Sequence, residues 1–385
     1  MVFALASLLS TALEVVLFPM LLLFTTTKTL VQYTARGFRP LYPKWTLKFE
    51  LVRALTRFVT ERYGETLPLE SVSHRMRRLS ETLGTLGGKA SCKKHQSVFE
   101  PEIVNGLEHL WLKAADKSGD GERFVVIYFH GGGFALDSPR AAIETCNSLR
   151  TGIATELQAP SATPHSVQLD FFIANYRKTP VHKFPAPQQD ALLIYEYLVE
   201  HHKIPPSNII VMGDSAGGGL AISTLLGLRD TNKSHLMPLA GVLLCGFVDY
   251  TAPAKDAVQP PHCVLAQPLM NGFRKAALPN PDDQLEARKF SPLYADLRGL
   301  PPMFIQGATL DFLYKNTLGL VAKAKADGVL KNWEVDIHEG VPHIFAISSQ
   351  SILPYAAVGV QRIAEFVVKK IHERLDDDSG AARKW

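Results

Sequence analysis

The stretch that most constrains this chain is Gly213-Asp214-Ser215-Ala216-Gly217-Gly218. An apolar, β-branched run, Asn208-Ile209-Ile210-Val211-Met212, leads into it, and Gly219-Leu220-Ala221-Ile222-Ser223-Thr224-Leu225-Leu226, helical in character, leads away. Ser215 therefore stands between a buried strand and a helix, with glycine at −2 and +2, the pattern of a nucleophile elbow. So sharp a turn strains the central residue and brings its neighbours too close for side chains, which is why small residues surround it. The helix that follows aims N–H groups at any anion forming beside the serine. A Gly/Ser turn without chemistry would share the motif, so the rest of the chain must decide.

Arg123-Phe124-Val125-Val126-Ile127-Tyr128-Phe129 is a nearly continuous apolar run, the mark of a strand buried on both faces. It ends in His130-Gly131-Gly132-Gly133-Phe134, where glycines let amides approach a ligand closely. A phosphate-binding loop is disfavoured because no G-x-x-x-x-G-K-[ST] occurs. Residues 170–176, 239–245, 302–307 and 333–338 read as further strands, the last alternating and near an edge, and 190–201 reads as an amphipathic helix. This alternation predicts a parallel sheet with helices on both faces. Residues 251–295, rich in proline and with a short helical patch at 269–277, read as an insertion overhanging the site. A closing helix is expected over 354–375 and a polar tail over 376–385.

Ahead of this body, residues 45–83 carry leucines and phenylalanines at helical spacing, and 84–94, rich in glycine and lysine, reads as a loop. Residues 1–27 are almost wholly apolar, with Glu14 their only charge, and their length suits one membrane span. Basic residues follow, and by the positive-inside rule they would leave the body on the cytoplasmic side. One sequon, Asn232-Lys233-Ser234, would be usable only in the secretory lumen, so topology stays open. A membrane anchor is the expectation; Glu14 and Pro19 fit the span less well, and a helix packed on the protein or lying in a lipid surface is the alternative. The net charge of +4, with no Lys/Arg block, gives no reason to expect nucleic-acid binding. Cys92, Cys146, Cys245 and Cys263 show no zinc spacing and read as isolated thiols, one disulfide remaining open.

A serine hydroxyl needs a base within hydrogen-bond reach, and that base needs an orienting carboxylate. Ser215, Asp311 and His343 occur in the chain order of this architecture, each in a loop after a strand. His343 would take the Ser215 proton, Asp311 would hold the imidazole, and the amides of Gly131, Gly132 and Ala216 would bind an oxyanion. Asp336 and Glu339 compete for the acid role but lie within and at the exit of the last strand. His130 reads as an anchor for the glycine loop, and Asp214 as a tie between loops.

These residues resemble the hormone-sensitive-lipase branch of the α/β-hydrolases, over about residues 123–373. The two glycine motifs carry the likeness. So do Tyr176-Arg177 through Phe184-Pro185-Ala186 to Asp190, Ser291-Pro292-Leu293 to Pro301-Pro302, and residues 340–345. The resemblance implies an α/β-hydrolase fold with an eight-stranded, mostly parallel sheet flanked by helices. It also implies a helical cap from residues 28–96 plus the insertion at 251–295, on a catalytic domain spanning 97–375, and ester hydrolysis without cofactor or metal. Two departures mark a divergent member. The usual Asp-x-Leu-x-Asp is Asp311-Phe312-Leu313-Tyr314-Lys315, and the usual Tyr-Arg-Leu-Ala-Pro-Glu is Tyr176-Arg177-Lys178-Thr179-Pro180-Val181. The likeness of residues 1–27 to anchored members implies a single-pass protein of the endoplasmic reticulum membrane. The expected substrate is a small, plausibly acetyl, ester of a hydrophobic alcohol such as a sterol or secondary metabolite. Acyl transfer or cyclisation on the same three residues, and a non-catalytic receptor on the same fold, are the alternatives.

Overall fold

Successive residues of the run 124–129 point to opposite faces, and every one is fully buried. Phe124, Val126 and Tyr128 enter one apolar core, and Val125, Ile127 and Phe129 enter another. A strand that is apolar on both sides belongs in the middle of a covered sheet.

The structure is a computed structural model that describes residues 2–116, 121–159, 166–252 and 260–382, with side chains described from 17 to 377. In chain order its elements are α1 (Val2–Ala35), α2 (Leu47–Tyr63), α3 (Glu70–Lys94), β1 (Ser97–Val104), β2 (Leu107–Ala114), β3 (Glu122–Phe129), α4 (Ile143–Leu157), β4 (Val167–Ala174) and α5 (Ala186–Glu200). They continue with β5 (Ile209–Asp214), α6 (Ala216–Asp230), β6 (Ala240–Leu244), α7 (Gln267–Ala277), α8 (Gln284–Phe290), β7 (Met303–Ala308), α9 (Tyr314–Ala326), β8 (Trp333–His338) and α10 (Ala356–Ala382). The eight strands form one sheet in the order β1-β2-β4-β3-β5-β6-β7-β8. β2 runs antiparallel to both its neighbours and the remaining pairings are parallel, with Phe129 opposite Gly213 and Ala308 opposite His338. The carboxyl ends of β3, β5, β7 and β8 thus open on one edge, where an α/β sheet places its ligands.

Several expectations change here. Residues 84–94 are not a loop: α3 runs through them to Lys94. Their glycines serve packing, since a Cβ at Gly84 would stand 2.6 Å from the Arg140 backbone and one at Gly88 2.7 Å from Ile143 Cδ1. Bare backbone lets α3 lie directly on the start of α4, and that contact offsets glycine's poor helix propensity. The edge hairpin β1–β2 had escaped notice because Glu100, Pro101 and Glu102 break any apolar pattern. The expected tail begins inside α10, which continues to Ala382.

The apolar stretch 1–27 falls in α1, and its side chains up to residue 16 lie outside the described residues. Among the described residues no helix is long and apolar enough to cross a membrane, so the single-pass anchor is not supported. Polar Thr25, Thr26, Thr27 and Lys28 end the apolar run, and Phe18 packs on Phe58 and Tyr63 of α2.

Two segments distant in sequence meet over the carboxyl edge. A Cβ on Gly272 of α7 would stand 2.7 Å from the Gly64 carbonyl, so these two backbones touch. Arg57 Nη1 reaches the carbonyls of Pro260, Cys263 and Leu265, and Thr60 donates to Val264 O at 2.8 Å.

Candidate active site

Ser215 joins β5 to α6 with φ 51° and ψ −118°, a conformation costing about 1–3 kcal/mol. The surroundings over-determine it. Its N–H donates to Leu244 O at 2.9 Å, and its carbonyl accepts from Phe247 N at 2.8 Å. A Cβ at Gly217 would collide with the Phe129 carbonyl, and one at Gly213 with the Gly217 carbonyl. The glycines flanking the serine are thus required by contact.

His343 leaves the turn after β8, and its Nδ1 lies 2.9 Å from Asp311 Oδ2, both side chains being buried. The other Asp311 oxygen accepts from Leu313 N at 2.9 Å, which fixes the carboxylate plane. Ser215 and His343 line one cavity of about 320 Å³. A hydrogen bond between them is not among those the described residues form; such bonds are often long before substrate arrives. Asp336, the competing acid, is turned to His338 Nε2 at 2.7 Å.

The glycine loop is placed differently from expectation in one respect. Gly131 N–H donates to Asp214 Oδ1 at 3.0 Å, so this amide is already engaged. Gly132 and Gly133, with φ of 97° and 60°, line the cavity instead, and Ala216 opens α6 directly after Ser215. The loop is braced from behind: Tyr176 Oη donates to His130 O at 2.9 Å, and Lys178 Nζ lies 3.0 Å from His130 Nε2. Because His130 Nδ1 faces the Gly131 carbonyl at 2.8 Å, Nδ1 carries the ring proton and Nε2 accepts from the lysine. Burial, then the Arg77 charge, holds the Lys178 ammonium well below its ordinary pKa.

Asp214 also accepts from Tyr128 Oη at 2.7 Å, tying β3 to the loop. Burial raises its pKa to about 6 against the pull of these donors. A raised carboxyl favours its protonated form in the fold. The stabilisation, on the order of 3 kcal/mol, is complete below about pH 4 and lost as pH rises through about 6. Asp214→Asn keeps an acceptor for both donors but cannot ionise. It is expected to gain thermal stability relative to wild type as pH rises from about 4 to about 7, read as the Tm difference along that series.

The cavity wall facing the glycine loop is apolar: Val264, Leu265, Leu269, Phe273, Ile344 and Ile347. Other residues of α7, Gln267, Met270 and Arg274, line a second cavity of about 540 Å³ that also reaches Asp311. Sequence reasoning missed two features. Lys178 was visible as a departure from pattern, but its contact with His130 was not. All four cysteines are free and buried, yet two are not isolated: Cys263 Sγ lies 3.8 Å from Asp311 Oδ1, and Cys245 Sγ accepts from Ile344 N at 3.4 Å.

Comparison with known proteins gives three findings. A family described as having the alpha/beta hydrolase fold matches residues 126–347. An acetyl-hydrolase of Streptomyces hygroscopicus is 27% identical over 235 residues, 58% of this chain and 68% of its own length, and an esterase of Acinetobacter venetianus is 26% identical over 244 residues, 63% and 74% respectively. The crystal structure of an esterase from the bacterial hormone-sensitive lipase family superposes with a TM-score of 0.65 at 26% identity, covering 84% of this chain and 98% of that one.

Proposed function

This chain belongs to the alpha/beta hydrolase fold family, in its hormone-sensitive-lipase-like branch, and is a carboxylic-ester hydrolase; from that premise we propose that it removes a small acyl group, acetyl foremost, from a hydrophobic alcohol such as a sterol or secondary metabolite, using Ser215, His343 and Asp311. The observation that carries the reading is the strained Ser215 sharing one cavity with a buried His343 whose Nδ1 is 2.9 Å from Asp311.

In this reading His343 Nε2 takes the hydroxyl proton as Ser215 Oγ attacks the ester carbonyl. The carbonyl oxygen becomes an anion held by the amides of Gly132 and Ala216, while Gly131 keeps its bond to Asp214 and stiffens the loop. Imidazolium then gives its proton to the departing alcohol, leaving an acyl-serine. Water, deprotonated by the same imidazole, attacks the acyl carbon and releases the acid. Asp311 keeps the proton of neutral His343 on Nδ1, so that Nε2 is the free base, and offsets the charge of the imidazolium.

The apolar wall of Leu265, Leu269, Phe273 and Ile347 supports an alcohol that partitions out of water. The acetyl preference draws support from the acetyl-hydrolase relative. The test is a series of p-nitrophenyl esters from acetyl to palmitoyl. The expected kcat/KM is highest for acetyl and butyryl and lower by at least about tenfold from octanoyl onward. Equal turnover of palmitoyl and acetyl esters would overturn the small-acyl reading.

A further inference from the structure

Two sulfurs converge on the Asp311–His343 pair from different parts of the fold. Cys245 follows β6, and Cys263 comes from the segment held down by Arg57. Cys263 Sγ accepts N–H bonds from Leu265 at 3.3 Å and Phe312 at 3.2 Å, and Cys245 Sγ accepts one from Ile344 at 3.4 Å. Cys245 Sγ, one Asp311 carboxylate oxygen and one His343 ring nitrogen lie within 4.8 Å of one another. Among the described residues no other three such groups meet this closely.

We propose that Cys245, Asp311 and His343 form a site for a thiophilic divalent cation, Zn²⁺ in the first instance, whose occupancy switches the enzyme off. The consequence for activity rests on the function proposed above; the binding itself does not. The donor set is the argument for the metal. A sulfur, an imidazole and a carboxylate suit Zn²⁺, whereas Mg²⁺ and Ca²⁺ demand oxygen. Tetrahedral zinc bonds of about 2.0–2.3 Å place ligand atoms roughly 3.3–3.8 Å apart, so the 4.8 Å limit asks for about 1 Å of contraction. Burial and then the Asp311 charge push the Cys245 thiol well above its ordinary pKa, so the metal must displace its proton, and the Ile344 N–H on that sulfur would support the bound thiolate.

Access need not pass the substrate. Asp311 also lines the 540 Å³ cavity, which is separate from the one that Ser215 lines. Binding releases the Cys245 thiol proton to solvent, and where Nδ1 is the ligand the single ring proton of His343 moves to Nε2. Either ring nitrogen serves to inactivate. A metal on Nε2 occupies the base, and a metal on Nδ1 forces the remaining proton onto Nε2.

The experiment uses the full chain, with equilibrium dialysis against Zn²⁺ and the ultraviolet thiolate-to-metal charge-transfer band of Cd²⁺. One equivalent should bind with a thiolate band, and Zn²⁺ should suppress ester hydrolysis until a chelator is added. Cys245→Ala should weaken Zn²⁺ binding by at least about tenfold. Cys92→Ser and Cys146→Ser should leave it unchanged. Where Cys245→Ala does not fold by circular dichroism, Cys245→Ser replaces it. Absence of the thiolate band, or unchanged Zn²⁺ binding in the Cys245 variant, overturns the site. Thiol-dependent binding in a protein that hydrolyses no ester upholds the site and overturns the function proposed above.

Discussion

Ser215→Ala is expected to lower kcat/KM for p-nitrophenyl acetate by roughly 10⁴- to 10⁶-fold and to abolish labelling by a fluorophosphonate. The size of the loss follows from chemistry: without Oγ no acyl-enzyme forms, and only the amides near Gly132 and Ala216 remain to favour the transition state. Alanine suits the elbow less well than glycine but no worse than serine, since both carry one Cβ at φ 51°. The variant should therefore fold, and its Tm should stay near wild type. Labelling that persists in the alanine variant would place the nucleophile elsewhere.

Asp311→Asn is the second large effect, a fall of about 10⁴-fold in kcat with KM little changed. The amide occupies the same volume, so the bonds from Leu313 N and the packing of Cys263 can survive. What changes is the proton on the ring. The structure sets His343 Nδ1 2.9 Å from a carboxylate oxygen, which selects the tautomer with Nε2 free. An amide NH₂ turned toward Nδ1 selects the other tautomer, and the ring then presents N–H to the serine. A near-wild-type rate in this variant would remove Asp311 from the mechanism.

The parallel core of the sheet was legible because its strands carry unbroken apolar runs, and a strand covered on both faces has no other composition available. Ser215, Asp311 and His343 were readable as candidates for a related reason: each follows a strand of that core, so strand order places them at one edge. What stayed hidden depends on contacts across the chain. Which loop amide is engaged is settled by Asp214 reaching from β5 to Gly131, 83 residues earlier. Gly84 and Gly88 look like loop residues until Arg140 and Ile143 are seen lying against them. Cys263 reads as an ordinary core thiol, and its sulfur meets Asp311 48 positions away. The short apolar–charged alternation of β1 is weak evidence for any element, and its partner β2 supplies what local pattern lacks.

Arg57 grips carbonyls that lie 203 to 208 residues further along the chain. During synthesis that guanidinium leaves the ribosome long before its acceptors exist. At roughly 5–20 residues per second the wait lasts on the order of ten seconds or more. The apolar wall above Ser215 thus comes together late, after strands β1 to β6 can already have paired, and the nascent chain must keep α2 from meeting other hydrophobic surfaces in the meantime.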